Sequence, residues 1–160
     1  MILSKEIAEK KLRRMAMEVA ERNFESDGLV LIGIKENGIV IAEIIASILK
    51  EIFPGTIDIL WLSLDKKNPG KIVLSKTIDF NGKNILLIDD VANSGRTMFY
   101  AMQPLLLQQP KQVQTLALLE RTHKQFPIEV NYVGHSVSTA RDEMIVVKVS
   151  GGEVEGAYFK

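Results

Sequence analysis

The chain contains no cysteine, which excludes disulfide staples and thiolate metal sites and fits a reducing compartment. Histidine is nearly as scarce: His123 and His135 are the whole complement, and their separation does not match the short ligand spacings of a zinc site. Neither sign of charge is in excess, because 20 basic residues balance 20 acidic ones. The total therefore predicts no nucleic-acid partner, although a local basic patch stays open. No apolar run approaches the roughly 18 residues of a membrane span, so no membrane partner is expected. Charged residues follow Met1-Ile2-Leu3 at once, leaving no apolar core for a signal peptide, and a cytoplasmic protein is expected.

What is present suits a globular chain. Its 160 residues are 46% hydrophobic and 25% charged, which predicts one domain over residues 1–160 with a sizeable core.

The most informative stretch is Ile85-Leu86-Leu87-Ile88-Asp89-Asp90-Val91-Ala92-Asn93-Ser94-Gly95-Arg96-Thr97-Met98. Its continuous apolar run is too short for a helix and reads as a buried parallel strand, ended by two carboxylates. Small, hydrogen-bonding residues from Asn93 to Thr97 then lead to Met98, Ala101, Met102 and Leu105 at helical spacing. The loop thus delivers a helix start to the sheet edge where α/β proteins bind ligands, and exposed N–H groups there favour an anion. Taken alone, Asp-Asp suits a solvated strand end and Ser94 a helix cap. Together they suggest acids for hydroxyls or a divalent cation, followed by a phosphate cradle.

In chain order, Ser4 is placed to cap a helix running to about Arg22, with Ala8, Leu12, Met15 and Val19 forming its apolar stripe. Lys10, Lys11, Arg13, Arg14 and Arg22 share its other faces with Glu6, Glu9, Glu18 and Glu21, a mixture that favours a solvated face over an RNA-contacting one. Leu29 to Ile34 reads as a second buried strand, Lys35-Glu36-Asn37-Gly38 as a tight turn, and the residues from Ile39 as a largely apolar helix. Ile57 to Leu62 is a third strand. The polar segment Ser63–Lys83 holds Lys66 and Lys67 beside the turn residues Asn68-Pro69-Gly70, with short strands at 72–74 and 77–78. A mobile flap and a plain exposed hairpin both fit it. Pro104 should kink the helix after Arg96 and Pro110 end it. Further strands are expected around 113–119, 130–133 and 144–149. Continuous apolar strands joined by helices predict an α/β fold, a mostly parallel central sheet flanked by helices, with the strands' carboxyl ends gathered at one edge.

The 85–98 run resembles the phosphoribosyl-diphosphate (PRPP) signature of type I phosphoribosyltransferases, in which a strand, two acids and a Ser/Thr-Gly-Arg/Lys-Thr loop hold the sugar phosphate. Gly33-Ile34-Lys35-Glu36-Asn37-Gly38 is similar to the family's Gly-Ile-Lys-Thr-Arg-Gly loop, matching at Lys35 and Gly38 and departing at Glu36 and Asn37. The run Leu-Leu-Glu-Arg-Thr-His-Lys-Gln-Phe-Pro-Ile-Glu-Val-Asn-Tyr-Val-Gly-His, residues 118–135, resembles the corresponding segment of the pyrimidine operon attenuation regulators. These are RNA-binding proteins with uracil phosphoribosyltransferase activity.

The resemblance implies a role for each matched residue. Asp89 and Asp90 would be catalytic, holding the ribose hydroxyls and, through them or water, a magnesium ion (Mg²⁺). Asn93, Ser94, Gly95, Arg96 and Thr97 would bind the 5′-phosphate, and Lys35, Glu36, Asn37 and Gly38 the pyrophosphate. Tyr132, Val133 and Gly134 would line the base, and Arg121 would sit beside the site. By its residues alone Tyr132 is a core aromatic. The family's flap Arg is missing, leaving Lys66 or Lys67 to replace its charge. Purine-specific relatives place Asp where Asn93 stands, so Asn93 points towards uracil. A PRPP-dependent uracil phosphoribosyltransferase, expected to be a homo-oligomer, is the leading reading. The alternatives are a nucleotide-sensing, RNA-binding regulator of pyrimidine genes, and a binding homologue with little turnover.

Overall fold

The computed structural model describes residues 1–65, 67–140 and 142–160. In chain order the elements are β1 (Leu3–Ser4), α1 (Lys5–Arg22), β2 (Gly28–Ile34), α2 (Asn37–Ile52), β3 (Thr56–Leu64), β4 (Ile72–Leu74) and β5 (Asn84–Ala92). They continue with α3 (Arg96–Ala101), α4 (Gln103–Leu106), β6 (Gln112–Arg121), β7 (Tyr132–Val137), β8 (Ile145–Ser150) and β9 (Glu153–Phe159). The central sheet has the order β4-β3-β2-β5-β6-β7, and every pairing in it is parallel except β3 with β4.

The continuous apolar strands are covered on both faces. Leu29 and Leu31 of β2, with Leu86 and Ile88 of β5, pack beneath α1 and α2. Their neighbours Val30, Ile32, Ile85 and Leu87 point the other way, against Met98, Ala101, Leu105 and Phe80. Alternation thus places every residue of the run in one core or the other. Truncating any of these leucines to Ala should cost about 2–5 kcal/mol. Helix α1 starts where Ser4 accepts the Ile7 N–H on its hydroxyl at 3.3 Å and buries the expected stripe.

Tertiary structure overrides several local expectations. Pro104, the second residue of α4, lacks the N–H that would bond back to Tyr100 and so divides the expected single helix into α3 and α4. Residues 77–78 form no strand. The 144–149 segment does not extend the parallel sheet, because β8 belongs to a separate antiparallel sheet of order β1-β9-β8. Strand β9 is an addition to the expected elements, although Gly151 and Gly152 carry the hairpin signal: both have positive φ, 57° and 79°, as a two-residue primed turn requires. No described helix is long and apolar enough to cross a membrane.

Candidate active site

The chain crosses from β2 outward to β3 on one side and later returns to place β5 on β2's other side. Such a reversal opens a crevice at the strands' carboxyl ends. The two loops flanking it are Lys35–Gly38, leaving β2, and Asn93–Thr97, leaving β5. Close packing makes glycine necessary at the first: a β-carbon on Gly38 would lie 2.8 Å from the Ile88 carbonyl oxygen and 3.2 Å from Asp89 Cα. Beside it, Lys35 Nζ stands 4.8 Å from the centre of the Trp61 ring on β3, a cation–π contact that holds the ammonium at the mouth of the crevice.

The second loop is shaped from outside. Ser94 offers its carbonyl to the Gln125 and Phe126 N–H groups, at 2.9 and 3.0 Å, and its hydroxyl to the Arg96 N–H at 3.3 Å. Gly95 takes a φ of 82°, the left-handed region that side chains with a β-carbon disfavour. Helix α3 behind the loop has six residues, so the loop can offer an anion local N–H and hydroxyl groups rather than a long helix dipole.

The two acids stand between these loops. Asp89 is 8% exposed, and its Oδ1 accepts the Asp90 N–H at 2.8 Å. Asp90 Oδ1 accepts the Val91 N–H at 2.9 Å, and its Oδ2 accepts a proton of Asn37 Nδ2 at 2.9 Å. Both carboxylates are held by donors before any ligand arrives, which fixes their direction.

One cavity of about 500 Å³ collects Lys35, Glu36, Asn37, Asp89, Asp90, Asn93, Ser94, Gly95, Arg96 and Thr97. Sequence reasoning missed part of its wall: Ser63 and Leu64 come from β3, and Met144 and Ile145 from the start of the small sheet. No local signal marks Met144 and Ile145, since only the folding of β8 and β9 over the crevice brings them there. Among the described residues no three His, Cys, Asp or Glu side chains gather as a metal site. Two fixed carboxylates beside open space still fit Mg²⁺, which commonly keeps waters and substrate oxygens among its ligands.

Other expected site residues lie elsewhere. Tyr132 is fully buried on the α1 side of the sheet, where its hydroxyl donates to Gln114 Oε1 at 2.9 Å and accepts from Asn23 Nδ2 at 3.3 Å. Burial pushes its phenol pKa above the ordinary 10.0 despite those hydrogen bonds and the Arg22 charge. Gly134 serves strand packing, since a β-carbon there would lie 2.3 Å from the Leu118 carbonyl oxygen. Its own carbonyl accepts from Lys11 and Arg14, each at 3.0 Å. Val133 packs against the core on the opposite face. None of the three lines this cavity, and Tyr132 takes the core position that its residue type alone indicates. Gly38 lies behind the wall, against β5. Arg121 donates to the carbonyls of Ala140 and Glu143, bracing the segment that leads to Met144. Lys67 is exposed on the β3–β4 connection and outside the cavity lining, while Lys66 lies outside the described residues.

Comparison with known proteins agrees with this geometry. The family model described as the phosphoribosyl transferase domain matches residues 1–149. The bifunctional protein PyrR of Bacillus cereus (strain AH820) is 37% identical, over 91% of this chain and 88% of its own length. A crystal structure of a hypoxanthine-guanine phosphoribosyltransferase from Bacillus anthracis superimposes with a TM-score of 0.73 at 25% identity, covering 91% of this chain and 84% of that one. A hypoxanthine phosphoribosyltransferase of Trypanosoma cruzi, 13% identical, shares the fold with a TM-score of 0.83 over 99% of this chain and 94% of its own. With an acid pair and the Asn93–Thr97 loop sharing a cavity at the sheet's switch point, and matched in this way in sequence and in fold, the chain belongs to the phosphoribosyltransferase family.

Proposed function

We propose that the protein transfers the phosphoribosyl group of PRPP to a nucleobase, uracil first, yielding the nucleoside monophosphate and pyrophosphate. The observation that carries this reading is the shared cavity in which the acid pair lies between the Lys35–Asn37 loop and the Asn93–Thr97 loop. A sugar carrying a phosphate at one end and a pyrophosphate at the other matches that layout. The 5′-phosphate takes the N–H and hydroxyl groups of residues 93–97. The pyrophosphate takes Lys35 and the first N–H groups of α2, a helix of 16 residues whose positive end opens on the cavity.

As the anomeric carbon loses pyrophosphate it gains positive charge, as in glycoside hydrolysis. Asp89 and Asp90 receive the ribose hydroxyls and set negative charge beneath that carbon. A ring nitrogen of the base forms the new bond with its lone pair, the bond to pyrophosphate breaks, and the nitrogen's proton leaves to solvent. Bound Mg²⁺ would neutralise charge on the leaving group. Glu36, exposed at the cavity rim, sets a charge of the same sign beside the pyrophosphate. Uracil is favoured by Asn93, standing where purine enzymes of the family carry Asp, and by the resemblance to pyrimidine regulators.

The test is pyrophosphate release from PRPP and Mg²⁺ with uracil, hypoxanthine, guanine and orotate offered separately. Turnover with uracil alone is expected; turnover with a purine alone overturns the base assignment, and silence with all four overturns the enzyme reading. A second reading, regulation through RNA, is favoured by the bifunctional relatives. On α1, several basic residues are already engaged: Lys10 pairs with Glu6, Arg14 pairs with Glu18, and Lys11 and Arg14 are bound to the Gly134 carbonyl. Salt-dependent binding of a hairpin RNA would establish it.

A further inference from the structure

The Asn37 side chain joins three elements. It stands on the first residue of α2, and its Nδ2 donates one proton to Asp90 Oδ2 on β5 and the other to the Val147 carbonyl on β8, both at 2.9 Å. An amide nitrogen has two protons, and both are engaged. The side-chain donor is therefore not free to hold pyrophosphate, the role that its place in the loop suggested. It spans the boundary between the central sheet and the small sheet.

The backbone beneath it has little freedom. Gly38 lies against Ile88 and Asp89 without room for a β-carbon. Gly33, at the end of β2, is equally close to the loop: a β-carbon there would meet the Gly38 carbonyl oxygen and Ile39 Cα, each at 2.8 Å. The start of α2 is thereby pinned to both β2 and β5, and the amide reaches Asp90 from a fixed origin. With the Val91 N–H on Oδ1 and Asn37 on Oδ2, the Asp90 carboxylate has one donor on each oxygen. A second lone pair on each remains for a ligand.

The other bond sets the opposite wall. Val147 follows Ile145 by one intervening residue on β8, and Ile145 and Met144 line the cavity. One side chain is therefore bonded both to the acid and to the strand that carries the apolar wall.

We propose that Asn37 is a positioning residue, acting through Asp90 and through the small sheet to set the spacing between that acid and the Met144–Ile145 wall of the cavity. The inference rests on the phosphoribosyltransferase reading above. An amide held in this way costs nothing to reorganise during the reaction, and angstrom-scale misplacement of a reacting group can lower a rate about a hundredfold.

A double-mutant cycle tests it. PRPP affinity with Mg²⁺ is measured by titration calorimetry, and kcat and KM by pyrophosphate release, on wild type, Asn37→Ala, Asn37→Asp, Asp90→Asn and the two pairwise combinations. Thermal unfolding serves as the fold control. Asn37→Ala is expected to weaken PRPP affinity about tenfold and to lower kcat/KM for PRPP at least as much, and Asn37→Asp more, because it sets a carboxylate against Asp90 and the Val147 carbonyl. In the Asp90→Asn background Asn37→Ala should change PRPP affinity less than twofold. Asn37→Asp with Asp90→Asn, which restores a donor facing an acceptor, should recover affinity relative to Asn37→Asp alone. Wild-type kinetics in Asn37→Ala, or equal losses in both backgrounds, overturns the coupling while leaving the enzyme reading intact. A wild-type protein that neither binds nor turns over PRPP overturns both.

Discussion

Gly38 meets the end of β5 so closely that a β-carbon would stand 2.8 Å from the Ile88 carbonyl oxygen. That approach is what brings the loop after β2 alongside the acid pair. Gly38→Ala must push the two apart. We expect kcat/KM for PRPP to fall by about a hundredfold, with a lowered Tm, while far-UV circular dichroism keeps its α/β form. Steady-state kinetics beside a thermal melt checks this, and an alanine variant with wild-type kinetics would show that the approach is slack.

Replacing Asp89 or Asp90 by Asn keeps size and shape but removes the charge that the proposed reaction sets against the sugar. Turnover should fall by more than about a hundredfold, as when a preorganised electrostatic group is removed from an active site, with the melting temperature within a few degrees of wild type. Unchanged turnover in either variant would take that carboxylate out of the chemistry.

The cradle depends on Gly95, whose φ of 82° disfavours any β-carbon; one placed there would also stand 3.3 Å from Ile128 Cβ. Gly95→Ala should cost about 1 kcal/mol of stability and weaken PRPP binding more than it changes kcat, since the proposed role of the loop is to hold a part of the substrate that does not react. Calorimetry with PRPP and with ribose 5-phosphate separates the two effects: equal losses for both ligands place the damage at the phosphate.

Tyr132 makes a prediction of the opposite kind. Its hydroxyl is bound to Gln114 and Asn23, so Tyr132→Phe should cost about 1–2 kcal/mol of stability and leave KM for the base unaltered. A raised KM for the base would return Tyr132 to the site. The pH dependence follows from its raised pKa. The folded protein favours the neutral phenol, so this stability is fully present below the ordinary value of 10.0 and is lost as pH rises from there through the higher folded value. The phenylalanine variant should lack that alkaline loss in a series of denaturant melts.

Much of the site was legible because its signals are local. The run from Ile85 to Thr97 carries strand, acids and cradle in one stretch, and the turn at Lys35–Gly38 follows directly from a second buried strand. At Tyr132, Val133 and Gly134 the residues' own chemistry accounts for where the strand packs. An aromatic with a hydrogen-bonded hydroxyl and a glycine against a neighbouring carbonyl are what strand packing beside α1 requires. Pro104 announced a kink, and the helix divides there into α3 and α4, which bury Met98, Ala101 and Leu105 in the same core.

By itself the sequence determined the α/β class, the buried strands, and the acid pair and loops that come to line one cavity. Apolar periodicity and turn chemistry act over a few residues and need no knowledge of the rest. Only the tertiary structure decided that β8 and β9 leave the central sheet, pair with β1 and carry Met144 and Ile145 over the cavity. It alone put Asn37 between Asp90 and Val147. Those are contacts between residues far apart in the chain, and they form only where packing and backbone hydrogen bonding are satisfied for the whole molecule at once.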